Sequence, residues 1–315
     1  MTGILIFFQF CLLIVLAPSV SWFIKRMKAA SQNRRGPTLF QAYADLIKLF
    51  QKEMVVSNTA SWIFHLMPFV LFTATLLTAA LVPVLFRNSI FGFTGDVIVF
   101  VYLLALGRFF LALAALDTGT TFGAMGSSRE MSLSSLAEPA LLLSFFALAF
   151  KSHALSFEGI ISYFSYQPPI EILFFTSLSF GTVFIITIAE SARIPVDNPA
   201  THLELTMIHE AMILEYSGKY LALIEWSRHI KQMIFLSLLA NIFFPWGVLN
   251  TAQATAPGLS VLILTYVIKI FFLAFLVGWV EIHCAKLRLF RVPDLMAIAL
   301  ALAVLALLGQ LIFGR

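Results

Sequence analysis

The stretch from Ile4 to Ile24 contains no charged residue. An uninterrupted apolar run of this length matches the thickness of a hydrocarbon bilayer, which takes roughly 20 helical residues to cross. The basic residues Lys25, Arg26 and Lys28 follow the run rather than precede it. That order is the reverse of a cleaved secretory leader, so the run predicts a retained helix with its N-terminus outside. Further runs recur along the chain, which is 60% hydrophobic and only 11% charged, with 33 Phe. This composition excludes an ordinary soluble domain.

The apolar runs predict an all-α integral membrane protein of about eight transmembrane helices, at roughly 20 residues each. They fall near 3–24, 61–86, 96–118, 129–151, 170–191, 230–249, 258–283 and 292–312. Of the 20 Lys and Arg, all but Arg87, Arg108, Lys151, Lys269 and Arg315 fall beside the loops after helices one, three, five and seven. Positive residues gather on the cytoplasmic side, so these loops are expected in the cytoplasm and both termini outside, in the cell (inner) membrane. The net charge of +4 expresses this sidedness and calls for no nucleic-acid partner. Residues 1–315 read as a single polytopic domain without repeats, with long cytoplasmic loops at about 25–60 and 192–229.

The first long loop interleaves Phe40, Leu46, Ile47, Leu49 and Phe50 with Tyr43, Asp45, Lys48 and Gln51. This predicts an amphipathic helix over 38–51, lying against the protein's own spans or docking a partner. In the second, Asn198 is a good N-cap, Pro199 suits the first helical position and Gly218 is a natural stop. On such a helix Glu204 and Glu215 share one face, and His202 and His209 the opposite one. Gly119 to Ser128 reads as a tight turn between helices three and four, not as a phosphate loop.

Ionisable groups inside a bilayer are costly and mark function by default. Asp117, Glu130, Glu138, Glu190 and Glu281 are all expected in the cytoplasmic half of the membrane, next to the loop acids Glu204, Glu210 and Glu215. They form a candidate proton relay, with Arg108, Arg129, Arg193 and Lys269 tuning its charge. Arg108 and Lys269 sit near mid-span, and each needs an acidic partner or a water-filled cavity. Glu138 and Glu190 are candidate partners for Arg108, whereas Asp117 lies on the opposite face of the same helix. Ion pairs that merely fix helix packing are the competing use of the same residues, and their number on one side favours the relay. No metal site is expected: HExxH is absent, and Cys11 and Cys284 make no ligand spacing.

Taken together, these residues resemble the membrane subunit shared by complex I (the ND-one type of mitochondria) and energy-converting [NiFe] hydrogenases. The resemblance rests on Asn33-Arg34-Arg35-Gly36-Pro37, Asp45 to Glu53, Leu116 to Gly119, Ser128-Arg129-Glu130, Glu138-Pro139, Glu190, Arg193, Pro195, Asp197 and Glu215 to Gly218. Gly36-Pro37 runs directly into the amphipathic helix, without the longer element of complex I. This favours the hydrogenase branch, of the formate hydrogenlyase and hydrogenase-4 type.

The resemblance implies a membrane-anchoring and coupling subunit of a redox complex, linking electron transfer in a peripheral arm to proton or sodium translocation. It implies no cofactor in this chain, with a [NiFe] centre and iron–sulfur clusters in partner subunits. Those partners are a hydrogenase-like large subunit, an iron–sulfur small subunit and antiporter-like membrane subunits. Arg34, Arg35, Asp45, Lys48, Asp197 and Tyr216 would dock the arm. The alternative is a quinone-binding subunit of a respiratory NADH dehydrogenase-like complex. Ala200 and His202, standing where complex I carries acids, argue against quinone use.

Overall fold

The computed structural model describes residues 2–57, 59–92, 95–166, 173–198, 207–249 and 256–313. Among them the chain is all-helical, with one isolated bridge between Phe86 and Leu249. The helices are α1 (Thr2–Ser31), α2 (Gln41–Gln51), α3 (Trp62–Leu81), α4 (Asp96–Asp117), α5 (Thr121–Ser152) and α6 (Phe157–Tyr166). They continue with α7 (Leu173–Glu190), α8 (His209–Met212), α9 (Gly218–Phe243), α10 (Ala256–His283) and α11 (Val292–Phe313).

Among the described residues six helices are long and apolar enough to cross a membrane: α1, α3, α4, α5, α10 and α11, the last with the short turn Leu289–Arg291 that leads into it. Two further helices fall where spans are expected. Helix α7 is apolar over its described residues. Helix α9 carries Lys219, Glu225, Arg228 and Lys231 within its first 14 residues, yet Met233 to Ala240 are at 0% exposure. It is the central post of the bundle, packed by α1, α2, α3, α6, α7 and α10. Lys219 is exposed, and Glu225, Arg228 and Lys231 tolerate this position because other helices pack around them. Phe235 of α9 meets Phe100 of α4, which also packs edge-on against Phe145 and Phe157. Edge-to-face geometry suits aromatic quadrupoles.

The amphipathic helix forms as α2. It buries Ala42 and Leu46 against α1 and α9, and leaves Phe40 71% and Ile47 58% exposed.

Two expectations are corrected. Gly119 to Ser128 is not a loop: only Gly119, with φ +68°, and the N-cap Thr120 turn the chain, and α5 begins at Thr121. Gly123 is needed there, since a Cβ would lie 2.6 Å from the Ala115 carbonyl oxygen. Gly218 does not stop a loop helix but opens α9 behind its N-cap Ser217. With φ +53° it lies against the chain at Lys52 and Glu53, where a Cβ would come within 2.8 Å of the Glu53 carbonyl. Of the expected 198–217 helix only His209–Met212 is helical among the described residues. Residues 199–206, with Ala200, His202 and Glu204, lie outside them.

Candidate functional site: a buried ion cluster around Arg108

Helix α4 sets Arg108 within the bundle, 7% exposed. Three carboxylates converge on its guanidinium. Nη1 donates to Glu138 of α5, Nη2 donates to Glu190 at the end of α7, and Nε lies 3.5 Å from Glu130 of α5. The planar guanidinium carries five donors in a fixed fork, so one arginine can serve several acids. Glu190 also accepts from Lys231 of α9 at 3.3 Å. Two small cavities of about 30 and 20 Å³ flank the cluster, each with room for a water molecule. Arg108, Glu130 and His209 line both.

A loop network closes this cluster. Asp197, 2% exposed, accepts from the backbone N–H groups of Asn198, Ile208 and His209 and from Lys286 at 2.8 Å. These bonds hold His209 over the cavities. Burial, followed by the positive charges of Lys231 and Arg228, pushes the His209 imidazole down to about 3. It is therefore neutral near pH 7, a donor and an acceptor beside the acids. Glu210 accepts from Arg228, which also pairs with Glu225 at 2.8 Å. Burial raises the Glu210 carboxyl and Arg228 pulls it back in part.

A third group lies between α1, α9 and α10. Glu281 pairs with Lys28 at 2.7 Å and Arg193 at 3.4 Å.

The other candidate residues are placed elsewhere. Asp117 accepts from the Ser61 backbone N–H at 2.8 Å and so holds the start of α3. Arg129 donates to the Met207 carbonyl rather than to an acid. Glu215 is exposed. Among the described residues Lys269 meets no acid: it donates to Asn241 Oδ1 at 3.0 Å and to the Ala240 and Phe244 carbonyls. Arg34, Arg35, Asp45 and Lys48 are exposed. Asp197 and Tyr216 are not: both are buried, and Tyr216 stacks on Phe64 with its hydroxyl on the Phe64 carbonyl. Their work is internal, fixing the loop. Lys231, Arg228 and His209 join the site only in the structure. Lys231 follows Arg228 by three residues, one helical turn, but the sequence divides the pair between a loop and an apolar span.

A polytopic helical bundle with a buried arginine shared by carboxylates from separate helices defines the class: a membrane protein that carries ionisable groups into its spans. The chain belongs to the NADH dehydrogenase family, whose pattern matches residues 3–311. It is 31% identical over 303 residues to formate hydrogenlyase subunit 4 of Escherichia coli K12, covering 96% of this chain and 97% of the relative. It is 32% identical over 300 residues to hydrogenase-4 component C of the same organism, covering 95% and 92%. A subunit of the NADH-quinone oxidoreductase of Thermomicrobium roseum is 30% identical over 312 residues, covering 89% and 85%. A chain of the archaeal membrane-bound sulfane sulfur reductase, a respiratory membrane complex, superposes with a TM-score of 0.74 at 19% identity. It covers 96% of this chain and 99% of its own, and at that identity the likeness is one of fold.

Proposed function

We propose that this chain is the membrane-embedded coupling subunit of a complex I-like redox assembly of the membrane-bound hydrogenase type. The family and the full-length likeness to hydrogenase and complex I membrane subunits support that setting. In this reading the long loops face the cytoplasm and both termini face outward, following the positive residues. The exposed Arg34, Arg35, Asp45 and Lys48 meet a peripheral arm. That arm holds the [NiFe]-type and iron–sulfur subunits, and antiporter-like subunits continue the membrane part.

The single observation that carries the coupling role is the charge count at Arg108. Three carboxylates, Glu130, Glu138 and Glu190, share two cations, Arg108 and Lys231. With every group ionised the cluster holds one surplus negative charge in a low-dielectric setting, and one proton neutralises it. The cluster is thus a site that can take and release a proton as the charge around it changes. His209 and the two flanking cavities give it a polar approach from the loop side. Glu138, whose side chain is 34% exposed, gives it an outlet on the lateral surface. Ser128, Ser132 and Ser135 of α5 are also exposed.

The test is Glu138→Gln in the complex purified from its native membrane and sealed into vesicles. Redox-driven ion uptake is expected to fall about a hundredfold, the lower end of the range for a positioned proton-transfer group, with subunit composition unchanged. Loss of assembly instead would assign the residue to packing. A chain that purifies alone and intact would overturn the subunit reading.

A further inference from the structure

We propose that the cavity between α1, the turn after it, α9 and α10 is a binding site for a phosphate-bearing anion. The cavity measures about 470 Å³, far larger than the water-sized spaces around Arg108. Its wall is strongly cationic: Lys25, Lys28, Arg34, Arg35, Arg193 and Arg228 all line it. The carboxylate on that wall, Glu281, is held by Lys28 and Arg193. Arg228 is answered from behind by Glu210 and Glu225. Lys25, Arg34 and Arg35 have no carboxylate within ion-pair distance among the described residues. The cavity therefore presents a surplus of positive charge that the described residues do not cancel.

A second, independent observation concerns Gln232, which also lines the cavity and is 3% exposed. Arg193 Nη2 can only donate, and it lies 3.3 Å from the Gln232 amide oxygen. Turning the amide over would set donor against donor, so the assignment of oxygen and nitrogen is fixed by its surroundings. Ser21 Oγ donates its single proton to the same oxygen at 2.9 Å. Ser21 must then accept from Nδ1–H of His229, 2.8 Å away. Every donor in this chain runs toward the oxygen, and Nε2 is left without an acceptor. A buried donor without a partner is costly, and what this wall lacks is an acceptor atom.

Position narrows the chemistry. The wall is drawn from the last third of α1 and the end of α10, where the apolar spans give way to Lys and Arg. This is the level of lipid headgroups, where basic pockets between helices take up anionic phosphate groups. The occupant is a phosphate mono- or diester, from an anionic phospholipid or from a soluble phosphate.

The test uses the complex purified from its native membrane, delipidated in mild detergent and examined by native mass spectrometry while phosphatidylglycerol, phosphatidylcholine or inorganic phosphate is added, with the parental and substituted forms of this chain compared. One phosphatidylglycerol retained per chain, with phosphatidylcholine lost under the same conditions, supports a lipid source. Saturable protection against heating by inorganic phosphate, with no lipid retained, supports a soluble one. Gln232→Glu keeps the acceptor for Ser21 and Arg193 but replaces the free donor with a negative charge. It is expected to weaken binding of whichever ligand is found by about tenfold, the worth of one charge-assisted hydrogen bond. Arg35→Gln, at an exposed position outside the buried network, is expected to weaken it severalfold without touching the core. Equal retention of both lipids, or binding indifferent to both substitutions, overturns the site.

Discussion

Arg108 and Lys269 are both cations set deep in long apolar helices, 7% and 3% exposed, yet the protein satisfies them in opposite ways. Arg108 receives three carboxylates from two other helices, and Lys231 shares one of them. Lys269 receives only neutral oxygens, from Asn241 and from the carbonyls of Ala240 and Phe244, where α9 ends. The last carbonyls of a helix have no partner within it and carry its negative pole. An ammonium placed there is stabilised without a counter-ion, and it supplies the donors that the helix end needs. One cation belongs to a group whose total charge can change; the other is a fixture that ends a helix inside the bundle.

The largest effect separating the two regions is expected from Arg108→Leu. Removing the guanidinium leaves three buried or half-buried acids with Lys231 alone, and breaking a buried ion pair of this kind costs about 3–5 kcal/mol. The chain should fail to accumulate in the membrane, or should lose its cooperative thermal transition in detergent. Arg108→Lys restores the charge but not the fork, so it should recover folding and leave ion coupling impaired. If Arg108→Leu proves as stable as the parent chain, the cluster is not holding the helices and the contrast collapses.

Lys269→Met is the matching substitution at the other site, and a smaller loss is expected. It removes hydrogen bonds to one helix end, worth about 1–3 kcal/mol when buried acceptors are left unmet. The thermal midpoint should fall while redox-driven ion uptake per turnover stays at the parental value. Loss of ion uptake with an unchanged midpoint would move Lys269 from fixture to relay and erase the distinction.

This difference marks how far the sequence can be read. The apolar runs place α1, α3, α4, α5, α10 and α11, because crossing lipid leaves few alternatives to an uncharged helix. The gathering of acids near one end of those spans also shows in the sequence, and so do Glu138 and Glu190 as partners for Arg108. The neutral cradle of Lys269 does not show, since backbone carbonyls at a helix end leave no side-chain signature. The early start of helix α9 is hidden for a related reason. Gly218 has the residue type of a helix stop, and only its contact with the Lys52–Glu53 backbone reveals that it opens a helix. With Gly218 read as a stop, Arg228 and Lys231 lose their helical register and drop out of the site. Asp197 and Tyr216 carry residue types that suit a docking surface, and only their burial assigns them to the interior.

The effect that sharpens the comparison most is a pH dependence confined to the Arg108 side. His209 stands over that cluster and takes its proton only near pH 3 in the folded chain, against an ordinary value of 6.5. Below about pH 6.5 the unfolded chain therefore binds a proton that the folded chain refuses. Stability should hold above that value and decline progressively as the pH falls toward 3. Glu210 contributes with the opposite sign. Its carboxyl is raised above 4.5 on folding, so its share is present at low pH and is lost as the pH rises through its folded value. The parental profile sums the two, and the imidazole is isolated by subtracting the profile of His209→Gln, which keeps a polar side chain but cannot be protonated. The difference in thermal midpoint should be constant above pH 6.5 and should shift steadily in favour of His209→Gln below it. The same subtraction for Lys269→Met should give a difference that does not change across this window, because its acceptors, Asn241 and two carbonyls, do not titrate. A flat difference for His209→Gln would mean that water reaches the imidazole freely, and the cluster beneath it would then be an open pocket instead of a closed store of charge.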